Sequence, residues 1–161
     1  MIRVRIVAWV IALAVAALPL RPPVAAPRCY PTDRFVVLTG GMVKDALTSL
    51  IWQQDGSWTR TGRSSSENCT WAEAQPYCSE LTLGGYSDWR LPTVKELRSI
   101  VDFTVYDPAI NRTAFPNTPG ERFWTSSPFA GSSDYAWNVD FSDGFLDVNH
   151  AGSYFRVRCV R

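Results

Sequence analysis

Histidine occurs once, at His150, while methionine and lysine occur twice each. With one histidine and no C-x-x-C pair among Cys29, Cys69, Cys78 and Cys159, zinc-ligand spacing is missing. A serine nucleophile would have to use His150, which sits in the loop-like NHAGS with no nucleophile elbow nearby. A lone loop histidine reads as a solvated surface residue. The scarcity of lysine leaves arginine as 14 of the 16 basic residues, a bias typical of a GC-rich bacterial genome. Past the N-terminus there is no long apolar run, and no internal repeat is visible.

Against those absences, 46% of residues are hydrophobic, 19% charged and 13% aromatic, which points to one globular domain with a rigid aromatic core. The start, MIRVRIVAWVIALAVAALPL, has Arg3 and Arg5 ahead of an uncharged apolar run from Ile6 to Leu20. A basic start followed by a short apolar stretch and small residues is a secretory signal, and the run is short for a membrane span. Residues 1–26 are read as the signal peptide and 27–33 as a proline-rich leader. Cleavage after Ala26 would place Pro27 behind the cut, so cleavage after Ala17 and retention as an anchor both stay open. Without residues 1–26 the chain loses Arg3, Arg5 and Arg21 and no acid, leaving 13 basic and 15 acidic residues. A formal charge of −2 speaks against nucleic acid as partner. Export makes disulfides the default state of the cysteines, with three possible pairings.

The domain proper is expected over residues 34–161. FVVL and MVKDALTSLIWQ read as strands around a Gly40-Gly41 turn. Asp55 to Asn68 reads as a polar surface loop. Thr70 to Glu73 and Thr93 to Glu96 are capping boxes, each opening a helix with an apolar stripe. Pro76 falls inside the first helix, where it removes a backbone bond and should kink it. After a long irregular loop, FWTSS, YAWNVDF, FLDV and YFRVRCV read as strands. Alternation puts Tyr135, Trp137, Val139 and Phe141 on the inner face, and sets Arg156 and Arg158 opposite Phe155, Val157 and Cys159. A helical half followed by an antiparallel half indicates an α+β fold.

In SDWRLPTVKEL, parity turns Trp89 and Leu91 inward and Arg90 outward. Pro92 keeps Leu91 extended, and Thr93 and Glu96 cap the second helix. Arg90 therefore reads as structural, paired with a carboxylate or loop carbonyls.

The string TWAEAQPYCSELTLGGYSDWRLPTVKELRSIVD, then FPNTP, FWTSSPFAGSSDYAWNVDFSDG and the terminal VRCVR, closely resemble the Lcl C-terminal domain family, catalogued as a domain of unknown function. The RLPT-x-x-E core also resembles formylglycine-generating-enzyme-like domains, within the C-type-lectin-like fold. That resemblance implies two helices packed on small antiparallel sheets with long loops, and first and last strands that pair. It further implies a bond from the first helix to the last strand, Cys78 to Cys159, which leaves Cys29 with Cys69. The cysteines serving formylglycine-generating enzymes have no match here, so the expectation is a non-enzyme.

Candidate contacts follow. Trp137-Asn138-Val139-Asp140 resembles the Trp-Asn-Asp motif of sugar-binding lectins, but Val139 interrupts it and the partner motif is missing, so that calcium site does not carry over. A two-residue turn at Asp143-Gly144 would set Asp140 opposite Asp147 and Asn138 opposite Asn149. Opposed like charges need a cation nearby. Either calcium sits on Asn138, Asp140 and Asp147, or Arg156 and Arg158 neutralise the acids in a ladder, and the shared outward face of the arginines favours the ladder. No cofactor is otherwise expected. Arg156, Arg158 and Arg161, with Arg122, are candidates for an anionic glycan, and Trp124, Phe129 and Tyr154 for stacking on sugar rings; the blander reading is the same ladder for the arginines and core or loop packing for the aromatics. The expected function is an exported, adhesin-like module that binds an extracellular or cell-surface polysaccharide through loops 104–122 and 127–134. A self-assembling envelope protein is the alternative, and an enzyme of the formylglycine-generating type the remote one.

Overall fold

Gly40 and Gly41 separate two apolar runs, and both take positive φ, 80° and 76°, which glycine adopts without steric cost. In the computed structural model, which describes residues 34–56 and 68–161, that turn joins β1 (Phe35–Leu38) to β2 (Met42–Asp45). A second reversal leads into β3 (Ile51–Gln53), completing an antiparallel sheet in the order β1-β2-β3. The signal, the leader with Cys29, and residues 57–67 of the polar loop lie outside the described residues.

α1 (Trp71–Ser79) and α2 (Val94–Ser99) begin at the two capping boxes. The Glu73 carboxylate accepts from the Thr70 amide at 3.0 Å, and that of Glu96 from the Thr93 amide at 2.8 Å. α1 runs through Pro76, because the carbonyl that loses its donor is that of exposed Ala72. β4 (Arg122–Pro128), β5 (Tyr135–Asp140) and β6 (Leu146–His150) form the second antiparallel sheet, in that order. The fold is α+β, with two helices and two small antiparallel sheets.

The C-terminal segment links the sheets. Ile51 and Arg161 exchange backbone bonds, as do Arg90 and Val160, so the last residues lie between β3 and the Trp89–Leu91 strip. The expected pairing of first and last strands is thus displaced: the terminal segment joins β3, while β1 holds the outer edge. Upstream, Arg156 pairs with β4 and Phe155 with Cys69. The disulfide Cys78–Cys159 ties α1 to this segment.

Two apolar clusters flank the strands. One gathers Val43, Trp52, Leu97, Phe115, Phe123, Val139, Phe141 and Val160. The other gathers Met42, Ala74, Trp89, Leu91, Trp124, Ala136 and Val157. Neighbours on a strand go to opposite clusters: Met42 and Val43, Phe123 and Trp124, Cys159 and Val160. Both strand faces are therefore covered, which corrects the one-sided reading of β5. Ala136 and Asn138 are buried with Val139, while Tyr135 is exposed. Beneath the first sheet, Arg34 and Asp45 form a buried two-pronged pair, 2.8 and 2.6 Å, with Asp45 also taking Thr48 and the Leu47 amide. Burial pushes the Asp45 carboxyl up, but those hydrogen bonds outweigh it and hold it below its ordinary value.

Candidate functional site

The β5–β6 hairpin carries the residues proposed as cation ligands, and its register differs from the sequence expectation. Asn138 faces Asp147 and Val139 faces Leu146, two residues from the predicted pairing. The turn is longer because Asp140 starts it: its carboxylate accepts from the Ser142 amide and hydroxyl at 2.9 and 2.6 Å. The Gly144 amide then closes on the Asp140 carbonyl at 2.7 Å. Gly144 takes φ 83°, a value that side chains other than glycine's rarely adopt. Phe141 consequently enters the core instead of facing Leu146.

Asp140 and Asp147 remain near each other, and a positive charge lies between them. It is Arg122 of β4, whose Nε is 3.4 Å from Asp140 Oδ2 and 3.7 Å from Asp147 Oδ2. The ladder exists, but the neutralising arginine is corrected from Arg156 and Arg158 to Arg122. β4 neighbours β5 through the Arg122–Asp140 register pair, whereas the terminal segment lies on the other side of β4. Asn138 is buried, donating to the Asp147 carbonyl and to Asn149 Oδ1 at 3.1 and 2.9 Å. Among the described residues no group of three or more histidine, cysteine or acidic side chains is arranged to hold a metal ion.

The proposed glycan contacts do not assemble on one surface. Trp124 is fully buried, its indole N–H donating to the Cys69 carbonyl at 2.9 Å. Arg158 is also fully buried, so both are corrected from surface contacts to core residues. Arg156 is held by Glu121 at 2.9 and 3.0 Å. Tyr154 is exposed. Arg90 donates to both oxygens of Glu96, at 2.8 and 2.6 Å, while Trp89, Leu91 and Pro92 beside it are buried. The terminal Arg161 pairs with Asp88 and lies over the Tyr86 ring.

The groups that catalysis would draw on are the cysteines and His150. Cys78 and Cys159 are joined. Cys69 is a buried thiol that burial pushes up to about 12, with Glu73 adding to the shift. The expected Cys29 partner lies outside the described residues. His150 is exposed and accepts from the Gly152 amide through Nδ1.

What the sequence reading did not single out is a group of exposed aromatics at one end of the second sheet. Phe103, Tyr106 and Phe145 are 62%, 79% and 69% exposed. Their signal in the sequence is weak: Phe103 and Tyr106 stand just before the irregular loop, and Phe145 opens FLDV, which reads as a strand.

Two antiparallel sheets, two capped helices and a terminal segment bonded to the first helix define an α+β disulfide-linked domain. Residues 41–161 match the sequence model of the Lcl C-terminal domain, and the chain belongs to that family. No curated protein matches the chain. Among the described residues, no helix is long and apolar enough to cross a membrane.

Proposed function

We propose that this chain is an exported, non-enzymatic binding module of C-type-lectin-like fold that recognises an extracellular or cell-surface polysaccharide. The observation that carries this reading is the set of exposed aromatic rings on loops whose backbone is held by internal hydrogen bonds. Tyr106 and Phe129 project from the two loop regions, and Asp107, Ala109 and Phe129 bond to neighbouring strands and turns. Rings on a fixed frame offer binding area at little entropic cost. A disulfide supports an oxidising location. The non-enzymatic part is supported by the cysteines among the described residues: two are bonded and Cys69 is buried, which favours its neutral form. Arg122 already supplies the charge between Asp140 and Asp147, so binding is proposed to need no calcium.

A screen of neutral and anionic oligosaccharides, with calcium and with chelator, tests this directly. The expected outcome is retention of at least one glycan class, equal in both buffers. Binding abolished by chelator would overturn the metal-free reading, and retention of no glycan would overturn the module itself.

The second reading, a self-assembling envelope protein, draws on β1. It is the outer strand of its sheet, and Val36 and Val37 are 44% and 51% exposed. An open apolar edge can template pairing with another chain. Concentration-dependent growth in particle size without glycan binding would favour it.

A further inference from the structure

Phe103, Tyr106 and Phe145 come from two segments that the fold presses together. The Phe103 ring reaches the β5–β6 turn, where its Cε1 lies 3.0 Å from the point a Gly144 side chain would occupy. Val101 comes within 2.4 Å of the same point, so only glycine leaves Phe103 seated there, with Phe145 next in the chain. On the other shoulder of the turn, the Asp107 amide donates to the Ser142 carbonyl at 2.8 Å, which brings Tyr106 alongside. The frame is closed by Asp102 to Ala109 at 3.0 Å and Ala109 to Phe141 at 2.6 Å.

The same two segments carry three carboxylates, Asp102, Asp107 and Asp143. Asp102 uses one oxygen to accept from the Thr104 amide and hydroxyl. Asp143 uses one for the Phe145 amide. Among the described residues neither of these second oxygens has a hydrogen-bond partner, nor does the Asp107 carboxylate, which lies against Gly120. Two cations are nearby, one over a ring of the group and one bonded to backbone. Arg98 lies 5.8 Å from the Phe103 ring centroid, and Arg112 donates to the Tyr106 and Asp107 carbonyls.

We propose that Phe103, Tyr106 and Phe145, with Asp102, Asp107 and Asp143 around them, form a stacking platform for an uncharged polysaccharide. The inference rests on the polysaccharide-binding reading above and names the class of sugar. A pyranose offers a C–H face to the negative face of an aromatic ring and O–H donors at its rim. Carboxylate oxygens accept those donors strongly. A protein partner fits less well, because the centres of protein interfaces are depleted of aspartate. An anionic glycan fits less well again, since three acids here outnumber two engaged arginines. Elsewhere Arg34, Arg90, Arg122, Arg156 and Arg161 are already held in ion pairs.

The experiment titrates the purified full chain with neutral glucan oligosaccharides and, separately, with heparin oligosaccharides, by calorimetry at low and high salt. Neutral oligosaccharides are expected to bind with little salt dependence. Tyr106→Ala and Phe145→Ala each should weaken that binding at least tenfold with melting temperature unchanged, and Tyr106→Phe should retain it. Salt-sensitive binding of heparin alone would overturn the neutral-sugar platform while leaving glycan recognition standing. Binding of neither class would overturn both. Neutral binding untouched by the ring variants would move the site elsewhere and overturn the platform. Self-association lost in Tyr106→Ala would reassign the rings to a protein interface.

Discussion

The guanidinium of Arg158 lies between two core rings, 4.7 Å from the Phe115 centroid and 5.5 Å from that of Phe123. Its Nη2 donates to Thr118 Oγ1 at 2.6 Å and to the Gln54 carbonyl at 3.4 Å, while Nε and Nη1 have no hydrogen-bond partner among the described residues. Gly56 covers it: a side chain there would meet Nη2 at 2.9 Å and the Phe123 ring at 2.7 Å. Burial pushes the guanidinium down to about 9, opposed by Asp55, so it is still charged at neutral pH. A buried charge with incomplete hydrogen bonding is a net liability, and an apolar residue of similar length removes it. Arg158→Met is therefore expected to keep or raise stability in urea denaturation, and Arg158→Ala to lose about 2–4 kcal/mol to the cavity. Equal losses in the two variants would show that the charge itself, through the rings and Thr118, holds the core. Alternation alone places Arg158 outward, because it assigns parity and nothing more. Parity predicts exposure only where one face of a strand meets water, and the terminal segment has apolar clusters on both sides.

α2 shows which parts of an element are legible locally. Thr93 and Glu96 are three residues apart and satisfy each other across one turn, so the sequence shows the helix start directly. The same applies to Arg90, six residues from Glu96 and pointing away from buried Trp89 and Leu91. Long-range seating of the helix is not visible in this way: the Val94 amide donates to Ser127 Oγ at 3.1 Å, and the Ser126 amide to the Pro92 carbonyl at 2.7 Å. The β5–β6 register departs from the expected one for a related reason, since turn length depends on whether Asp140 binds Ser142 or pairs across the hairpin. The pairing at α2 has a pH signature. Hydrogen bonds from Arg90, against a smaller opposing effect of burial and with help from Thr93, pull Glu96 down to about 2 from an ordinary 4.5. A folded value below the unfolded one means the stabilisation is complete above about pH 4.5 and fades as pH falls towards 2. Arg90 is 48% exposed, so solvent limits the pair to about 1 kcal/mol. Melting temperature followed from pH 6 to 2.5 should fall less steeply in Glu96→Gln than in the parent. Parallel curves would remove Glu96 as a contributor.

Across the whole molecule, the C-terminal segment is the shared wall of both apolar clusters, with Cys159 in one and Val160 in the other. It bonds to β3 on one side and to Arg90 on the other, while Phe155 and Arg156 bond to Cys69 and β4. Most of these partners are far away in sequence, so the segment contributes only when the chain is already nearly closed. The Cys78–Cys159 disulfide spans 81 residues and removes much of that closure entropy from the unfolded chain, an effect of roughly 4 kcal/mol in the chain-entropy description. A single domain of this size has only about 5–15 kcal/mol of total stability, so the bond carries a large share. Cys78→Ala with Cys159→Ala is expected to lower the urea midpoint by that share, and a reductant that opens the bond in the parent should do the same. The double variant should be indifferent to reductant. Release of the segment would also free the wall shared by both clusters, so α1 and β3 should lose amide protection from hydrogen exchange together. Protection lost at α1 alone would mean that the β3 and Arg90 pairings hold the segment without the bond. A parent whose midpoint ignores the reductant, with the bond shown to be open, would remove the disulfide as the closing element.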